Sequence, residues 1–141
     1  MRMTKVLKAS GFLGLATMMT VGLYQFSLLA GGQGVPGWMI GGHAHLGVLS
    51  IIAIVMGFAV PAVGVTGNLR RAVTGLFLAG QWGIPLVVWV GEGGGVMLLL
   101  PTGYLWGACL ILAMLIMFYK TVTQDVDAIS GGTAPIAPAD D

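Results

Sequence analysis

Residues 43–65 read HAHLGVLSIIAIVMGFAVPAVGV, an apolar run that contains no Asp, Glu, Lys or Arg. A helix rises about 1.5 Å per residue and the hydrocarbon core of a bilayer is about 30 Å thick, so roughly 20 such residues cross it. Residues 11–30, 72–90 and 96–119 form three more runs of the same character. The composition agrees, with 57% hydrophobic and 8% charged residues and a mean hydropathy of +0.95, where soluble domains carry about 25% charged residues. The sequence predicts an all-α polytopic membrane protein, a four-transmembrane-helix bundle over residues 1–122 with the lipid bilayer as its surroundings. Residues 123–141, with Asp125, Asp127, Asp140 and Asp141 among Gly, Ala and Pro, predict an acidic, disordered cytoplasmic tail. Neither end is long enough to hold a second core.

Charge sets the expected orientation. Arg2, Lys5 and Lys8 precede the first run, Arg70 and Arg71 separate the second from the third, and Lys120 follows the fourth. In an even-numbered bundle all of these fall on one side, which the excess of Lys and Arg in cytoplasmic loops places inside the cell. The expectation is a multi-pass protein of the inner or plasma membrane with both termini cytoplasmic. A cleaved signal peptide is the rival reading of the first run, but the run exceeds the usual h-region of about 7–15 residues and no small-x-small site closes it. Cys109 is alone in mid-span, where packing is the default role.

Glycine and proline punctuate the runs. Gly31, Gly32, Gly34, Pro36, Gly37, Gly41 and Gly42 predict a turn-rich first outer loop with Trp38 as an interfacial anchor, and Gly91–Gly95 a second outer loop around Glu92. Pro85 and Pro101 predict kinks in the outer halves of the third and fourth helices. Gly57, Gly75, Gly80, Gly83 and Gly107 suit close helix packing, with room for a flat ligand as the alternative. Gln81 reads as an interhelical hydrogen-bonding group and Glu92 as a solvated loop carboxylate.

His43 and His45 are the chain's 2 histidines and stand at the start of the second run. Ionisable groups in membrane spans mark sites by default. Two residues apart on a helix is about 200° around the axis, so the two cannot face one ligand unless the helix has not begun there. Two histidines for one haem normally come from facing helices, and no other helix has one. What stays open is a haem held by one imidazole with a vacant or weakly filled sixth position, a thioether partner, or a second imidazole from another subunit. The rivals are a zinc or copper ion, for which the outer half offers only His43, His45 and Glu92, and a pair of interfacial histidines wetted by headgroup water. No phosphate-cradling motif, Ser/His/Asp set or basic stripe is present, which excludes nucleotide, hydrolase and nucleic-acid functions.

From Gly37-Trp38 to Trp82 the chain resembles the styrene-oxide isomerase family of four-span haem b membrane proteins. Those proteins carry Gly-Trp shortly before an Ala-His-x-Gly-type helix start, a proline closing that helix, a short basic turn, and a tryptophan midway along the third span. His43, Pro61, Arg71 and Trp82 fall at the corresponding positions. The resemblance implies His43 as the axial ligand to iron, Trp82 beside the cofactor, haem b at a boundary between protomers, and a homo-oligomer, specifically a trimer; His45 is the alternative ligand to the iron or a partner beside the cofactor. In that family the ferric iron acts as a Lewis acid on an epoxide oxygen. Here Leu49 and Val88 stand where the family enzymes carry an asparagine and a tyrosine near the substrate, and the outer segments are shorter. Haem binding with Lewis-acid or small-ligand chemistry is the functional expectation. An electron-transfer or structural subunit of a larger membrane complex is the alternative.

Overall fold

The structure, a computed structural model, describes residues 2–123, which form four α-helices and no strand. Helix α1 spans Arg2–Ala30, α2 Gly37–Ala62, α3 Gly67–Leu86 and α4 Thr102–Thr123. Helix α3 runs on into a π-helical segment, Val87–Gly93, and a 3-10 turn, Met97–Leu99, leads into α4. All four spans are long and apolar enough to cross a membrane. Of the segment read as a tail, only Thr123 lies among the described residues.

Close approach of backbones sets the packing. Along the α1/α2 seam Gly11 faces the Ser50 carbonyl and Ile54, Gly14 faces Ser50, Met18 covers Gly47, and Gly22 faces His43. This is an antiparallel register in which small residues let the helices approach, as suits helix association in lipid. Across α3/α4, Gly80 seats Leu110 and Gly83 seats the Trp106 indole. The most extensive pairings are α1 with α2 and α3 with α4, joined through α2 and α3. The buried apolar cluster, including Leu7, Ala53, Met56, Val60, Val73, Phe77 and Met117, lies in the half that carries the basic residues.

Several boundaries differ from the sequence reading. Helix α2 starts at Gly37, not near His43, with Pro36 in an extended conformation (φ −60°, ψ 142°) as its N-cap. Trp38, Gly41 and Gly42 are therefore helical rather than loop. Glycine is common in membrane helices, so a cluster of glycines is weaker evidence for a loop here than in water. Pro101 does not kink α4, because it immediately precedes the helix, where a missing N–H costs nothing. Pro85 is inside α3, and the distortion after it takes the form of the π segment. Glu92 belongs to that segment rather than to a loop. The α2–α3 turn needs two left-handed backbones, supplied by Gly64 (φ 65°) and Gly67 (φ 58°).

Candidate functional site

Because α2 begins before His43, both histidines lie within regular helix and point to opposite sides. His43 is half-buried in the α1/α2 seam. A Cβ on Gly22 of α1 would lie 3.0 Å from its Cε1, so the α1 backbone lies against the ring. Its Nδ1 is buried without a hydrogen-bond partner. The carbonyl one turn back that could orient it, Met39 O, accepts a hydrogen bond from Gln25 Nε2 at 3.0 Å as well as the helical N–H. On that side of the ring stands the α1 backbone rather than an open groove.

His45 is exposed and differently held. Its Nδ1 lies 2.7 Å from the Gly41 carbonyl oxygen. A carbonyl only accepts, so Nδ1 carries the hydrogen and the neutral ring keeps the Nε2 lone pair free. This is the arrangement by which ligating histidines are commonly fixed in tautomer and orientation. Around the ring is an open groove of about 230 Å³ lined by Ala44, His45, Val48 and Leu49. The donor and its apolar wall fit an axial ligand to haem. Leu49 lines this groove, and Val88 Cγ1 lies 3.8 Å from the Cβ position of Gly41, the residue whose carbonyl holds His45.

Trp82 lies elsewhere. Its Nε1–H donates to Ser10 Oγ at 2.8 Å, and Ser10 stands more than three helical turns, about 18 Å, along α1 from Gly22, which faces His43, toward the basic end. Ser10 Oγ donates to Gln81 Oε1 at 2.9 Å, and Gln81 Nε2 donates to Ser50 Oγ and to the Ser10 carbonyl, each at 3.3 Å. Gln81 is 0% exposed, and its side chain ties α1, α2 and α3 together, as expected for a lone amide in an apolar span. Glu92 is exposed in the π segment. Among the described residues no three of His, Cys, Asp and Glu meet in a group able to hold a metal ion.

Three participants escape a reading of the sequence. Ser10 lies just outside the first apolar run, next to Lys8. Trp89 sits in the π segment with its indole against Gly42 and its Nε1 buried without a partner. Thr74 is fully buried with its hydroxyl unpaired. The seven-residue spacing of Thr74 and Gln81, one helix face, is the signal that could have found the last.

Residues 3–141 match a family described as a domain of unknown function (DUF8059). Comparison with curated proteins and with solved structures finds no match.

Proposed function

The chain belongs to the DUF8059 family, and within it we propose a multi-pass cell-membrane protein that binds haem b through one imidazole, that of His45. The observation that carries the reading is the hydrogen bond from His45 Nδ1 to the Gly41 carbonyl at 2.7 Å, which leaves Nε2 free on an apolar face. The resemblance points to His43, but the buried seam around that ring favours its neighbour. When bound, the iron supplies a Lewis-acid and small-ligand site. The chain's own part is to hold Nε2 in one orientation and to keep the surroundings apolar through Val48 and Leu49.

With Leu49 and Val88 in place of hydrogen-bonding side chains, the favoured ligand is a small apolar or gaseous molecule rather than an epoxide that needs polar contacts. One groove wall covers one side of a macrocycle, so a second copy of the chain supplies the other, in a homo-oligomer whose termini face the cytoplasm. Purified protein tests this through its optical spectrum. A Soret band lost in His45→Ala and kept in His43→Ala is the expected result, and uptake of carbon monoxide by the reduced form marks an open sixth position. The reverse pattern assigns the iron to His43, and a colourless preparation after haem supplementation overturns haem binding altogether.

A further inference from the structure

Five basic residues come to one level of the bundle. Lys8 of α1 lies against Gly57 and sets its Nζ 3.5 Å above the Phe58 ring. The Ser50–Gln81 hydrogen bond fixes the antiparallel α2/α3 register and brings Arg70 and Arg71 to the height of that pair. Gly80 against Leu110 carries the antiparallel α3/α4 register on to Lys120 in the last turn of α4. Lys5 lies one turn beyond Lys8. Lys5 and Arg71 are exposed, and Lys8, Arg70 and Lys120 half-buried. Glu92, the one carboxylate among the described residues, lies at the opposite end of α3. Apart from the Phe58 ring under Lys8, no group shown among the described residues answers the charge, and no carboxylate lies at this end.

The chain itself carries the complement. Asp125, Asp127, Asp140 and Asp141 follow Thr123, the last residue of α4, at this same end. We propose that segment 124–141 docks across the basic end, its aspartates pairing with Lys5, Lys8, Arg70, Arg71 and Lys120. At about 3.3–3.6 Å per extended residue, Asp140 and Asp141 have a reach of roughly 60 Å. Helices of about 10–12 Å diameter make the span from α4 to α1 less than half of that. Anionic lipid phosphate is the natural competitor for these cations. A tethered segment meets it at an effective concentration in the millimolar range. This inference does not depend on the haem reading.

Zero-length carbodiimide coupling of the full chain in phosphatidylcholine nanodiscs, read by mass spectrometry, tests it. The informative products are the long-range amides between Asp140 or Asp141 and Lys5 or Lys8. They are expected in low salt, to fall several-fold in 0.5 M NaCl, where charges are screened beyond a few ångströms, and to fall similarly in Arg70→Gln/Arg71→Gln, which removes no coupling partner. Long-range products that are absent, or unchanged by both salt and the arginine variant, overturn the proposal. In phosphatidylglycerol nanodiscs the products are expected to persist. Their loss there at 0.15 M salt assigns the face to lipid phosphate instead and equally overturns the proposal.

Discussion

Gly42 and Gly22 differ in what a methyl group would meet, and this separates their expected mutant effects. A Cβ on Gly42 runs into the Trp89 indole nitrogen, whereas one on Gly22 meets His43 Cε1 at 3.0 Å, an edge that can move a few tenths of an ångström. Gly42→Ala is expected to lower stability by about 1–3 kcal/mol through overpacking. Gly22→Ala should stay near neutral, the crowding offset by about 1 kcal/mol of helix propensity. Denaturation in mixed micelles distinguishes the two. Gln81→Leu removes the acceptor of Ser10 and the donor to Ser50. With interhelical hydrogen bonds in membranes averaging about 0.6 kcal/mol each, a loss of about 1–2 kcal/mol is expected in the same assay. Gln81 was legible because an amide in an apolar helix must find partners. Ser10, its main partner, was not, because it stands outside the apolar run and only the approach of α1 gives it a role.

Helix existence followed directly from the apolar runs, and helix ends did not. The start of α2 is set by Pro36 and Gly37, residues whose habit in water is to break helices, and that shift places both histidines within the helix. With two turns of helix ahead of it, His43 faces α1 and His45 faces outward, as the 200° argument requires once both are helical. Pro85 was expected to kink α3, and after it the structure shows a change of hydrogen-bond step, with Gly94 N–H reaching Trp89 O at 3.0 Å. Restoring the N–H in Pro85→Ala is expected to close this segment to α geometry, rotating Trp89 away from Gly42 by about one residue's turn. A changed near-ultraviolet dichroism band in Pro85→Ala, and an unchanged one in Pro61→Ala at the exposed end of α2, checks it. An unaltered Trp band in both would mean that the π segment is set by packing against α2 rather than by the proline.

Across the whole molecule, the up-and-down order of helices puts Lys5, Arg70 and Lys120 at one end and the 31–36 connection at the other. In a Cys109→Ser background, Lys5→Cys and Thr123→Cys are expected to react with an impermeant maleimide from one side of sealed vesicles, and Gln33→Cys from the opposite side. Same-side labelling of all three would contradict the four-span order. This much was legible from composition and charge alone, because lipid leaves the backbone few alternatives to helices. Which faces meet was not, since every face is apolar and register rests on small residues that look alike in sequence. The pairing of α1 with α2 and of α3 with α4 also has a biosynthetic consequence. Each pair is a hairpin able to enter the bilayer as a unit, and the link between them is the short turn Val63–Thr66. Two polypeptides severed within that turn and co-expressed should find each other and rebuild a bundle that co-purifies, whereas halves divided between α1 and α2 should not.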